Sequence, residues 1–151
     1  MKREADEDMK SRVWGIIDGC RDCVFITLLQ DGRCRARTMN KIQDMNRSGG
    51  IMWFATDSKS RKISEIAANP RVTLFFAHPE TFDHACISGK AQVVRDAENR
   101  LRFWNDDWYR YWKAGPKSEE YVLIKVVPEK GEYFLNEEVM SGEISFDIKS
   151  L

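Results

Sequence analysis

What most limits the fold of this chain is its string of short runs rich in β-branched and aromatic residues, with few helical stretches between them. CVFITLL (23–29), Arg33 to Asn40, IMWFAT (51–56), RVTLFFA (71–77), HACISGKAQVV (84–94), YVLIKVV (121–127) and GEYFL (131–135) read as strands. Asp31-Gly32 marks a hairpin turn between the first two, and Gly89 marks a bulge or bend. Helical spacing is scarcer. Apolar residues recur from Met9 to Ile17, ahead of Gly19 as a C-cap. Residues 58–68 put Ile63, Ile66 and Ala67 on one face before Asn69-Pro70. Asp96 is an N-cap for a further helix, and Trp104, Trp108 and Trp112 follow at four-residue steps, one helical face. Parallel βαβ folds need regular alternation of strands and helices, which is missing. The expected fold is mainly β, an antiparallel barrel with peripheral α-helices. A length of 151 residues fits a single domain. Residues 1–10 are expected to be mobile or a helix start, and 136–151 form a C-terminal extension without a strong signal.

Charge narrows the function. Lys and Arg number 24, as do Asp and Glu, so the basic surplus of a general nucleic-acid binder is lacking. No apolar run approaches the roughly 20 residues of a membrane span. The first residues, MKREADEDMK, lack the apolar segment of a signal peptide, so a cytoplasmic location is expected. Cysteines at 20, 23, 34 and 86 are too few and uneven for a secreted disulfide scaffold. Cys20 and Cys23 form a C-x-x-C, but it follows a helix and precedes a strand, the reverse of the redox arrangement. No second tight pair completes a zinc site, so a structural role for the pair and no metal are expected.

Two groups of cations point to an anion. Arg33, Arg35 and Arg37 alternate with Cys34, Ala36 and Thr38, so a strand places all three guanidinium groups on one side. The helix expected from Ser58 carries Lys59, Arg61 and Lys62 in its first turn, with no acid until Glu65. A helix N-terminus is a positive end that prefers Asp or Glu. Cations there break the local rule, and an anion held by free N–H groups and these side chains resolves the conflict. Phosphate is the obvious candidate, with the Thr56, Ser58 and Ser60 hydroxyls as further donors. The plainer alternative is that both basic faces are simply solvated. Trp104, Trp108, Tyr109, Tyr111 and Trp112 read first as core or interface packing and second as cover for a planar cofactor ring. His78 and His84 are the only histidines, and no spacing supports a Ser-His-Asp or Cys-His arrangement.

Taken in order, Arg37-Thr38-Met39, WFAT (53–56), S-x-S-R-K (58–62), NPRVTLFF (69–76) and SGKAQVVRD (88–96) resemble the FMN-binding split-barrel superfamily of pyridoxamine 5′-phosphate oxidase. The bacterial general stress protein 26 branch is the nearest likeness, through Trp104-Asn105, Trp112, Gly115-Pro116, Pro128 and Tyr133-Phe134. The resemblance runs over roughly residues 10–135, and its specificity lies in the order and spacing of short motifs.

That resemblance implies a six-stranded antiparallel split β-barrel of Greek-key type, forming a homodimer with FMN at the subunit interface. By position, Arg37 and Lys62 pair with the FMN phosphate, and Ser60 and Arg61 lie in the same phosphate-binding stretch. Thr38, Met39 and Asn40 run along the isoalloxazine, mostly through backbone groups. Ala55 and Thr56 match a strand segment that also touches the cofactor. His84 takes a ring-facing position, and Trp112 covers the ring from the partner subunit. The function implied is that of a stress-related, FMN-dependent oxidoreductase with NAD(P)H or another electron donor. The second reading is a flavin-binding sensor or store without turnover, and a third is a relative that prefers a deazaflavin or haem. Oxidases proper gather the substrate phosphate with Lys and Arg residues, several near the C-terminus. Here no Arg follows Arg110 and the stretch from Glu129 is rich in acids, so pyridoxamine 5′-phosphate oxidation is not expected.

Overall fold

The computed structural model describes residues 2–43 and 50–148, so the end of the expected C-terminal extension, 149–151, lies outside the described residues. Helix α1 (Lys2–Asp18) leads into β1 (Asp22–Leu28) and β2 (Cys34–Asn40). The turn between these strands needs Gly32, whose φ of +88° suits a residue without Cβ. It closes with the Leu29 N–H donating to the Arg33 carbonyl at 2.8 Å. Then come β3 (Met52–Asp57), α2 (Arg61–Ala68), β4 (Arg71–Ala77), β5 (His84–Val94), α3 (Ala97–Phe103), β6 (Tyr121–Leu135) and β7 (Met140–Ser145). The sheet runs β2-β1-β4-β5-β6-β3, with β7 on the far end of β6, and every pairing is antiparallel. Among the described residues no ladder joins β2 to β3. One bond links their surroundings, from the Ile42 N–H to the Trp53 carbonyl at 2.9 Å. This is the open seam of a split barrel.

Several sequence expectations are corrected. The sheet has seven strands rather than six, because β7 forms within the segment that carried no strong signal. The stretches 121–127 and 131–135 are one strand. Pro128 does not interrupt it because β3 pairs with residues 121–126 and β7 with 130–135, so the missing N–H falls between the two outer neighbours. On the inner side, Gly89 lies opposite Pro128 at a register shift. A Cβ there would stand 2.3 Å from the Val127 carbonyl oxygen, so only glycine fits. Trp104, Trp108 and Trp112 do not share a helix. Chain direction changes at Trp104, and Asn105 starts a 3-10 turn over Asp106–Arg110 by accepting from the Asp107 N–H. Helix α2 starts at Arg61, leaving Lys59 outside its first turn. Of the two readings for the N-terminal residues, the helix holds from Lys2.

Strand β3 explains why IMWFAT is apolar without alternation: both of its faces are covered. Met52 and Phe54 join the main core of Phe25, Leu74, Phe76, Ile87 and Ile124, which Val13, Ile16 and Ile17 of α1 close. Trp53 faces the other way into a second cluster with Phe103, Trp112, Tyr121 and Leu123. Among the described residues no helix is long and apolar enough to cross a membrane.

Candidate functional site

The hairpin register fixes the site. Phe25 opposes Arg37 and Thr27 opposes Arg35, so both arginines share the face of β2 that looks into the barrel rather than out to water. Cys34, Ala36, Thr38 and Asn40 take the exposed face. Arg33 falls outside the strand and turns back on the hairpin, its Nε donating to Asp31 Oδ2 at 2.8 Å. The two inward guanidinium groups meet Glu65, whose side chain is only 8% exposed at the barrel rim. Arg37 Nη2 donates to Glu65 Oε1 at 2.8 Å, and Arg35 Nη1 donates to Oε2. The buried Thr27 hydroxyl donates to Glu65 Oε1 at 2.8 Å and accepts from Arg37 Nη1 at 2.9 Å. Arg37 Nη1 also reaches the Phe25 carbonyl at 3.3 Å. Burial alone would raise the Glu65 pKa. The Thr27 and Arg37 hydrogen bonds and the two arginine charges outweigh it, and the carboxyl titrates below its ordinary 4.5.

Beside this network stands Lys62, in the first turn of α2. Its ammonium donates to Thr56 Oγ1 at 2.8 Å and Ser60 Oγ at 2.7 Å. Burial, and after it the nearby Arg37 charge, pull its pKa below 10.5. Among the described residues it forms no ion pair. Ser60 occupies the N-cap position, yet its hydroxyl serves Lys62 instead of a helix N–H. The first turn of α2 is therefore left without a side-chain cap, and it carries no acid. Each hydroxyl that accepts from Lys62 still has its own O–H to donate. The corner thus offers an ammonium, two hydroxyls and the rim of a guanidinium, a donor set suited to a phosphate.

Arg37, Thr56, Ser60 and Lys62 are therefore brought together. Arg61 is exposed on α2 next to them, while Lys59 reaches Glu120 at 3.3 Å on the surface. Ala55 is half-buried and faces the second cluster. Thr38 and Asn40 are exposed and Met39 is in the core. Trp112 is buried against Tyr121, at a ring separation of 5.1 Å, and its Nε1 reaches Asp57 Oδ2 at 3.4 Å, one residue beyond Thr56. His84 lies elsewhere, on the outer sheet face, between Phe75 and Phe134, each 5.3 Å away. Its buried Nδ1 has no partner among the described residues. His84 opens β5 opposite Ala77 and Phe134, and its ring neighbours Phe75 and Phe134 are not residues of the Lys62 corner. Cys20 and Cys23 are both buried in the core. Burial raises both thiol pKa values, that of Cys23 to about 12. Sequence reasoning missed Thr27 and Glu65. The one available signal was that Glu65 is the sole acid in 58–68.

The family model described as "Pyridoxamine 5'-phosphate oxidase like" matches residues 8–150. No curated protein matches the chain. Among solved structures, a protein from Clostridium acetobutylicum related to general stress protein 26 superposes with a TM-score of 0.79 at 16% identity, over 94% of this chain and 97% of that one. General Stress Protein 26 from Bacillus anthracis is 26% identical, with a TM-score of 0.71 over 90% of this chain and 98% of that one. A pyridoxamine 5'-phosphate oxidase-related, FMN binding protein from Nostoc punctiforme gives a TM-score of 0.61 at 14% identity, over 96% of each chain.

Proposed function

This chain belongs to the pyridoxamine 5'-phosphate oxidase-like family, and from that premise we propose that it binds FMN with the phosphate in the Lys62 corner and acts as a flavin-dependent oxidoreductase. The observation that carries the reading is the Lys62 ammonium, held by two hydroxyls and no carboxylate, beside an arginine already fixed in place. Phe25, Thr27 and Glu65 take three of the five Arg37 N–H donors, so two remain for a ligand. Ser60 and Thr56 add hydroxyl donors, and Arg61 adds charge at the rim. Thr38, Met39, Asn40 and Ala55 are assigned to the edge of the isoalloxazine. His84 is assigned to a ring-facing position, which a second copy of the chain would bring to the site because the residue lies on the outer face of β5. Trp112, packed against Tyr121 in its own chain, leaves too little ring surface exposed to cover a flavin from the partner subunit and is not assigned to it. The bound flavin would supply hydride and electron chemistry; the protein's part is to hold it by its phosphate and shield its ring.

A homodimer fits the same reading, and we infer that the chain assembles as one. Val24, Ile26 and Phe75 lie half-exposed on the outer face of β1 and β4, next to His84 on β5, the kind of apolar surface that a two-fold interface covers. Light scattering is expected to give about twice the chain mass of 17.6 kDa. For the cofactor, Lys62→Ala and Arg37→Ala are each expected to weaken FMN by at least about tenfold, the loss of a charge-assisted hydrogen bond, and riboflavin by less than about twofold. Equal losses for both ligands would sink the phosphate assignment. Reduction of the bound flavin by NAD(P)H is expected of an oxidoreductase, whereas a flavin that no nicotinamide reduces fits the sensor or store.

A further inference from the structure

Glu65 is a charged side chain of the barrel rim that the phosphate reading does not use. Its position is specific. Glu65 Oε1, the Thr27 hydroxyl and Arg37 form a closed ring of three hydrogen bonds of 2.8, 2.9 and 2.8 Å. Oε2 takes Arg35. Thr27 is fully buried, so this ring is anchored in the core of β1 rather than at the surface. Without it, Arg37 would be a long side chain at the end of the sheet path, free to sample many rotamers, and ordering it would fall on the ligand.

We propose that Glu65 is a positioning residue, which with Thr27 holds the Arg37 guanidinium against the corner formed by Lys62, Ser60 and Thr56. The inference rests on the phosphate reading above and deepens it. Glu65 acts through Arg37 and does not touch the ligand, since both of its oxygens are engaged.

Charge and positioning make opposite demands here, which gives the test its sign. A carboxylate close to an anion site repels the anion, so by charge alone Glu65→Gln should tighten FMN. By positioning, the same change weakens FMN, because Arg37 loses its charged anchor. The expected result for the full chain, titrated with FMN and with riboflavin, is a loss of about tenfold for FMN and less than about twofold for riboflavin. In an Arg37→Ala background Glu65→Gln is expected to change FMN affinity by less than about twofold, because the residue it acts through is gone. Thr27→Val, which breaks the ring without altering charge, should also weaken FMN, and Thr27→Ser should restore it. Unchanged riboflavin affinity shows that the variants are folded. Tighter FMN binding by Glu65→Gln, or the same loss in both backgrounds, overturns the positioning role. If Arg37→Ala itself leaves FMN binding intact, the phosphate assignment falls first and the proposal falls with it.

Discussion

Replacing Glu65 with alanine is expected to be among the most destabilising single changes at the rim. It leaves two guanidinium groups and a buried hydroxyl without their shared acceptor. Removing one partner of a buried ion pair costs about 3–5 kcal/mol. The side chains of Arg35 and Arg37 are 34% and 20% exposed, so water relieves part of that cost. We expect about 3 kcal/mol, which at this chain length lowers Tm by roughly 6–12 °C. Glu65→Gln keeps an acceptor for Thr27 and should lose less. The effect carries a pH signature. The Glu65 carboxyl titrates below 4.5 in the folded protein, so its ionised form stabilises the fold above the unfolded value, and that contribution is lost as pH falls through the folded pKa. Urea denaturation of the parent and Glu65→Gln chains from pH 7 to pH 3 should show a gap that is full at pH 7 and narrows as pH falls below 4.5. A gap that is constant over the range, or an alanine variant within about 0.5 kcal/mol of the parent, would refute the reasoning.

Three further outcomes follow from the same geometry. Gly89→Ala drives a Cβ to 2.3 Å from the backbone oxygen of Val127 and should cost at least the roughly 1–3 kcal/mol of an overpacked site by chemical denaturation. Gly15→Ala, in the last turn of α1 with nothing within 4 Å of the new Cβ, should instead stabilise by up to about 0.5–1 kcal/mol. Lys62 has its pKa lowered from 10.5, and only its protonated form attracts phosphate. FMN affinity should therefore fall as pH rises through that lowered value, while riboflavin affinity stays level, as fluorescence titrations across alkaline pH will show.

The strands with complete local signals were legible in the sequence. RVTLFFA and HACISGKAQVV become β4 and β5 with the expected limits, and Asp31-Gly32 is the turn expected between β1 and β2. Strand β7 was not legible, because MSGEIS has only Ile144 buried and takes its order from pairing with β6. The continuity of β6 through Pro128 depends on which neighbours stop where, and that is a tertiary fact. Spacing alone suggested a helical stripe for the tryptophans. Their rings do converge, but around Tyr121 and by way of a 3-10 turn. At the candidate site, the local rule broken by cations at a helix start singled out Lys62 and Arg61 without any fold. The partners of Arg37 could not be found that way, since Thr27 and Glu65 lie 10 and 28 residues away along the chain.

The central claim is that the corner formed by Lys62, Ser60, Thr56 and Arg37 receives a flavin phosphate. Its most direct test is a fluorescence titration of the unmodified apo chain with FMN and with riboflavin, side by side at one pH and one salt concentration. The two ligands differ only in the phosphate. FMN is expected to bind at about micromolar or tighter, and riboflavin at least about tenfold more weakly, the worth of one charge-assisted contact. Equal affinity for the two flavins, or no binding of FMN, would contradict it.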